Sequence, residues 1–345
     1  MKKLMGVLLI LVMTLSCASA GNGFYYSTTR VTTCESSNSM LNRFFESGEL
    51  SVTIPGLAEG LVPQGVSYIA EGNLMLFAGY RSDKGASALI AVDMETDQVV
   101  REVFLRNVDG SVYNGHAGGV CVTEKNIFVA NSHHLYRISL EKFFSLQVSD
   151  TCAFEEAIPV PNNASYCAYH DGILWVGEFQ YGNDYKTDRS HRMKTTDGYY
   201  QAWACGYVLD ETQENEIKAE ALTGGDAVPD YILETTERIQ GITVKGDSIY
   251  LSQSYGRTNT SSLYRYDGIL QKEADGTATV SEKEVPVWFL DQKKALSAVL
   301  FAPNMSECLC TVGDAIYVLF ESGAETYLKG GSGNPMDRVF KLTDY

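Results

Sequence analysis

Along most of this chain apolar and polar residues alternate in short runs separated by Gly, Asp or Asn turns. That period of two is the mark of half-buried antiparallel strands. Residues 238–267, RIQGITVKGDSIYLSQSYGRTNTSSLYRYD, show it most clearly. A Gln240-Gly241 pair opens a predicted strand at 242–244, Lys245-Gly246-Asp247 turns the chain, and strands at 249–253 and 263–266 flank a polar loop. One such meander cannot bury its apolar face, so copies of it must pack on one another.

Copies are present. The first unit opens at Gln64-Gly65, with strands predicted at 66–69, 74–78, 88–92 and 99–105. A second begins at His116-Ala117-Gly118-Gly119, with strands at 120–123, 127–131 and 134–138 and an outer strand at either 143–146 or 155–160. The third has strands at 166–169, 173–177 and 202–209, the last preceded by an insertion at 179–201. The opening stretch is the fourth unit, completed by 285–290, and the fifth has strands at 309–312, 316–320 and 338–342 around a Gly-rich loop at 323–337. The last unit lacks an outer strand, while a spare strand at 49–54 precedes the first. The pattern therefore predicts an all-β chain, a five-bladed β-propeller closed by its N-terminal strand, because such closure removes an exposed sheet edge. A six-bladed ring, with one blade drawn from 211–237, is the alternative.

In a propeller, equivalent positions of successive units form rings about the axis. Aligning the units on their turns sets Gln64, Gly118, Ala164, Gln240 and Glu307 at one level, with His116 just outside it. The second strands end on the same face at Tyr80, His133, Glu178, Tyr255 and Glu321. Convergent polar groups at a concave mouth form the default binding site of such a ring. Glu178, Glu307, Glu321 and His116 are the candidate acid and base groups, and the three glutamates are also candidate Ca²⁺ ligands. Gln64, Gln240, Tyr80, His133, Tyr255 and Arg257 are candidate ligand contacts. The loops on that face also carry Arg81, Lys84, Lys186, Arg189, His191, Arg192, Lys194 and Lys329. Cations gathered on an acidic body would concentrate small anions, so a carboxylated or phosphorylated ligand is expected, with Arg81 and Arg189 among its contacts and 179–201 as a lid.

Composition adds a compartment. Lys2 and Lys3, an apolar run at 4–15 and Ala18-Ser19-Ala20 read as a signal peptide over 1–20, with Cys17 leaving a lipoprotein route open. A Ser/Thr/Asn-rich leader, either mobile or wrapped on the domain, is expected over 21–48, and the propeller domain over 49–345. The formal charge of −16 becomes −18 once Lys2 and Lys3 are removed. A surface this acidic repels nucleic acid and anionic lipid, so the expected partner is a small molecule or peptide bound by a monomer outside the cytoplasm. The chain contains neither GxSxG, P-loop, HExxH nor EF-hand pattern. Seven cysteines follow the signal, an odd number without a CxxC pair, and most read as small core residues.

Two resemblances follow from these residues. IQGITVKGDSIYLSQSYGRTNTSSLYRYD, at 239–267, is similar to the repeat of five-bladed glutaminyl cyclotransferases, in which a QG pair opens the inner strand. That resemblance implies a glutamate just before the serine of the second strand, moving a proton as N-terminal glutamine cyclises. Leu251 stands at that place before Ser252, and Leu76 and Phe77 in the first unit, so Glu178 or Glu321 would have to substitute. More of the chain, through VPQGVSYI, YNGHAGGVCV, HDGILWVGEF, QSYGRTNTSSL, PVWFLD, Met305-Ser306-Glu307, LFESGA and NPMDRVF, resembles secreted bacterial propellers of unassigned function. Three expectations remain open: a small anionic or peptide-like ligand bound at the mouth with or without catalysis, a cyclotransferase-like reaction, and a non-catalytic surface protein recognising a protein or glycan.

Overall fold

The computed structural model describes residues 23–34, 36–222 and 224–345. The proposed signal peptide and Cys17 lie outside the described residues. Strands dominate, in chain order β1 (Gly48–Thr53), β2 (Leu61–Ile69), β3 (Leu74–Arg81), β4 (Ala88–Asp93), β5 (Gln98–Arg106), β6 (Gly119–Val122), β7 (Asn126–Ser139), β8 (Asp150–Ala153), β9 (Glu156–His170) and β10 (Ile173–Glu178). There follow β11 (Met193–Thr195), β12 (Gly198–Tyr200), β13 (Ala202–Val208), β14 (Tyr231–Thr235), β15 (Ile239–Lys245), β16 (Ser248–Gln253) and β17 (Ser261–Asp267). The chain ends with β18 (Gly276–Val280), β19 (Lys283–Phe289), β20 (Ala298–Ala302), β21 (Ser306–Val312), β22 (Ala315–Phe320) and β23 (Arg338–Leu342).

The strands form radial sheets. One runs β2-β3-β4-β5-β8, another β15-β16-β17-β20, and a third β21-β22-β23-β1. The remaining large sheet, β6-β7-β9-β10-β13-β14-β19-β18, holds two units joined through β9. That strand first pairs with β7 as an outer strand, His134 opposite Pro159, and then turns inward to pair with β10. The innermost strands pack in a cycle: β2 on β6, β6 on β9, β9 on β15, β15 on β21, and β21 back on β2. Radial sheets around a cycle of inner strands make a β-propeller. Apolar layers fill the wedges between sheets, for example Leu76, Val120, Val129 and Phe154 in one and Phe128, Val176, Trp203 and Ile232 in the next.

The glycines of the inner strands explain how tightly the axis closes. A methyl group added to Gly65 would lie 2.5 Å from Val120 N, one on Gly119 2.5 Å from Cys167 N, and one on Gly241 2.6 Å from Cys308 Cα. Neighbouring backbones meet there, and only a residue without a Cβ leaves room.

The N-terminal strand pairs with the last one, Gly48 opposite Leu342 and Leu50 opposite Phe340, so the edge of β23 is covered. The leader wraps the domain: Tyr25 N and Tyr26 N donate to the buried carboxylate of Glu102 at 2.7 and 2.9 Å, and Val31 N and Thr32 N to Asp337 at 3.1 and 3.0 Å. The described cysteines, Cys34, Cys121, Cys152, Cys167, Cys205, Cys308 and Cys310, are free thiols, all buried except the half-buried Cys34.

Several expectations are corrected. Residues 143–146 fall mostly in a short helix, Leu140–Ser145, whose first turn is capped by the Ser139 hydroxyl accepting from Lys142 N. Strands expected separately at 127–131 and 134–138 are the single strand β7, with a register irregularity between Ser132 and His134 and Ser132 at φ 55°. The strand expected to complete the fourth unit belongs to the third: β19 runs parallel to β14, Ile232 opposite Val287 and Leu233 opposite Trp288. Ile232, Leu233 and Val287 are wholly buried, which suits interior strands. β20 takes the outer edge of the fourth unit instead, with Val299 and Phe301 exposed. Residues 231–235, drawn on for the six-bladed alternative, extend the sheet of β13.

Candidate functional site

Three inner strands lose register where the sequence reading places ring residues. The irregularities lie between Pro63 and Gly65, between Ile239 and Gly241, and between Ser306 and Leu309. A bulge re-aims the side chain at its centre, and these centres carry Gln64, Gln240 and Glu307. The glycine that follows each glutamine is the one a neighbouring backbone abuts. The QG pair thus has two jobs, an amide aimed at the mouth and a gap for the next strand.

Glu307 is buried on β21, and Glu321 directly follows β22, across the end of the same hairpin. Gln64 Nε2 donates to Glu321 Oε2 at 2.8 Å and to Pro63 O at 3.0 Å, while Gln240 Nε2 donates to Glu307 Oε1 at 3.3 Å. Burial, and then the charge of Glu321, pushes the Glu307 carboxyl well above the ordinary range. Burial also lifts Glu321, to about 7, although hydrogen bonds from Tyr327, Gln64 and Glu307 and the charge of Arg257 hold it down. Two carboxyls this close cannot both ionise cheaply. The pair therefore holds on to one proton more readily than either carboxyl would alone.

An aromatic wall stands beside the pair. Tyr80 OH lies 3.3 Å from Tyr327 OH, and the Tyr80 ring stacks on His116 with centroids 4.6 Å apart. His116 is open to solvent yet surrounded by the walls of the mouth, and the resulting desolvation lowers its pKa. Arg257, exposed on the loop after β16, holds its guanidinium 5.1 Å from the Tyr327 ring centroid. Gln64, Tyr80, His116, Gln240, Arg257, Glu307 and Glu321 are therefore one cluster, and Tyr327 joins it from the Gly-rich loop. Sequence reading missed Tyr327, because nothing in a Gly-rich loop of that length fixes which side chain turns inward.

Glu178 does different work. It is fully buried and accepts from Asn163 N at 3.0 Å, Trp203 N at 2.9 Å and His191 Nδ1 at 2.6 Å. His191 comes from the 179–201 insertion and stacks on Trp203 with centroids 3.7 Å apart. Trp203 Nε1 donates to Glu234 Oε2 at 2.8 Å. Burial raises Glu234 to about 9 despite that bond, so it is uncharged at neutral pH. Glu178 thus anchors the insertion to the sheet. The expected Ca²⁺ set of Glu178, Glu307 and Glu321 does not converge, and among the described residues no group of three or more His, Cys, Asp or Glu side chains is placed to hold a metal ion.

The remaining candidates spread over the rim. Tyr255 packs on Tyr181 of the insertion at 4.2 Å, and Phe179 on Tyr185 at 5.1 Å. His133 is exposed, and its charge acts on Asp188 of the insertion. Arg81 is tied to Asp83 at 2.5 Å and to Tyr25 OH at 3.1 Å, and Lys329 to Glu325 at 2.6 Å. Arg192 lies over the Tyr199 ring at 3.9 Å, and Arg189 sits in a single 3₁₀ turn, Arg189–His191, within the insertion. Much of the rim cation is thus already engaged by the chain itself.

No protein-family model matches the chain, and no curated protein matches it either. Among solved structures it is similar to the glutaminyl cyclase of Myxococcus xanthus, with 10% identity, a TM-score of 0.42, and coverage of 85% of this chain and 94% of that one. It is also similar to a GH43_1 enzyme from Xanthomonas citri complexed with xylose, with 10% identity, a TM-score of 0.44, and coverage of 88% and 92%. A third is BamB from Moraxella catarrhalis, with 11% identity, a TM-score of 0.32, and coverage of 81% and 84%. Likeness at this level transfers no chemistry.

Proposed function

We propose that this chain is an exported, five-bladed β-propeller that binds a small peptide-like ligand by its amine at the mouth, where Glu307 and Glu321 act on it as a proton donor and acceptor. The observation that carries this reading is the carboxyl pair itself, bonded to Gln64 and Gln240 and holding one proton between two acids. A single negative charge flanked by amides and phenols suits an ammonium group, which brings donors to match the free lone pairs. A carboxyl that titrates near 7 can also take and return a proton around neutral pH. Among the described residues no helix is long and apolar enough to cross a membrane.

The same pair suits one specific reaction. In glutaminyl cyclisation the bound ammonium first gives a proton to the carboxylate, the free α-amine attacks the side-chain amide carbon, a second proton passes from that nitrogen to the departing one, and ammonia leaves and takes back the first proton. Glu321 would carry that proton, since Leu251 occupies the place where the resembling family has its glutamate. The deciding experiment is to incubate the purified protein with Gln-initiated dipeptides and measure ammonia and pyroglutamate, with calorimetry on the same peptides and their N-acetylated forms. Binding that survives N-acetylation, or is unchanged in Glu321→Gln, excludes the amine-binding reading. Binding without ammonia release leaves a receptor in place of a transferase.

A further inference from the structure

Arg257 is the cation of the mouth that the carboxyl pair feels most directly. Its charge acts on Glu321, and its guanidinium lies beside Tyr327, whose hydroxyl bonds to that same carboxylate. It forms no ion pair among the described residues, whereas Arg81 and Lys329 on the same face are each held by a carboxylate. Its place is also built. Arg257 O accepts from Asn304 Nδ2 at 2.7 Å and from Gly333 N at 3.2 Å, stitching the loop to the fifth unit. A Cβ on Gly330 would lie 2.0 Å from the Arg257 Nη1 atom, so a glycine keeps the space the guanidinium occupies.

A guanidinium without an ion pair, lying over one ring whose hydroxyl bonds to the carboxyl pair, matches a ligand with two opposite charges close together. We infer that Arg257 is the carboxylate receptor of this site, and that the ligand is a short zwitterion, a free amino acid or dipeptide, with its ammonium on Glu321 and its carboxylate on Arg257. This rests on the amine-binding reading above and narrows it. A guanidinium can clasp a carboxylate through two parallel N–H donors, and the Tyr327 ring beneath it limits the orientations it can take. A long peptide bound by its N-terminus would leave Arg257 without a charged partner, so chain length becomes a selected property.

The test is calorimetry with the twenty free L-amino acids and a panel of dipeptides, each beside its C-terminal amide and its N-acetyl form, on the wild type, Arg257→Gln and Arg257→Lys. Removing the ligand's carboxylate should weaken wild-type binding by about ten- to a hundred-fold, and should change little in Arg257→Gln. Arg257→Lys should retain part of the preference, which also shows that the loop still folds. Equal affinity for acid and amide in the wild type overturns the inference while amine binding stands. No binding across the panel, or binding indifferent to N-acetylation, overturns the amine reading and this inference with it.

Discussion

Gln64 and Glu321 are 257 residues apart in the chain, and their side chains meet at 2.8 Å where β2 packs on the β21–β22 hairpin. The bond joins the first inner strand to the last hairpin, so it exists only while the ring is closed. It also couples fold to chemistry, because the amide helps hold down the pKa of the carboxyl on which the proposed activity depends.

Ligand binding should therefore titrate. Glu321 is protonated below about 7 and charged above it, so an amine that needs the charge should bind better as pH rises through 7, losing up to tenfold per unit on the acid side. Glu321→Gln should flatten that profile. Gln64→Ala removes a donor that stabilises the charged form and should move the midpoint upward. Calorimetry between pH 5 and 9 measures both.

Glu234 should give the fold its own pH dependence. Its folded pKa of about 9 is raised above the ordinary carboxyl value of 4.5, so between those values the unfolded chain has released a proton that the folded chain keeps. Stability is then fully present below 4.5 and falls as pH rises toward 9, with a slope approaching about 1.4 kcal/mol per pH unit for one proton. Glu234→Gln keeps an acceptor for Trp203 Nε1 and should remove most of this slope in urea melts run across that window.

Substituting the axial glycines should cost far more than substituting turn glycines. Gly65→Ala and Gly241→Ala press a methyl into neighbouring backbone that cannot give way, so each should destabilise by about 3 kcal/mol or more, the upper end for overpacking. Gly246→Ala meets nothing within 4 Å and has only its φ of +61° to accommodate, so about 1–2 kcal/mol is expected. Chemical denaturation of the three variants ranks them. A loss at Gly246 equal to that at Gly65 would remove close strand packing as the reason for the QG pairs.

His191→Ala should release the insertion without touching the carboxyl pair. The ring bridges Glu178 and Trp203, and its removal leaves a fully buried carboxylate short of one donor. Faster proteolysis and hydrogen exchange confined to 179–201 are expected. Unchanged exchange there would show that other contacts, such as Asp197 with Gln292 N and Lys293 N, suffice to hold the insertion.

The sequence by itself determined what short-range physics controls. Alternation of apolar and polar residues placed β3, β16 and β22 close to their observed bounds, because a strand with one face in a core must repeat every two residues, and found only the part of β2, β15 and β21 that lies beyond the bulge, where the alternation resumes. The same alignment brought Gln64, Gln240, Glu307 and Glu321 to one rim, since equivalent bulges occupy equivalent places in each unit. Tertiary structure alone decided which outer strands pair. β14, β19 and β20 have similar local patterns, and their assignment depends on which free edge is buried and which is left to solvent. It alone decided, too, that the Glu307 and Glu234 carboxyls are pushed up while Glu178 serves the insertion. Those states depend on desolvation and on donors supplied by residues far away in the chain, and no local pattern encodes either.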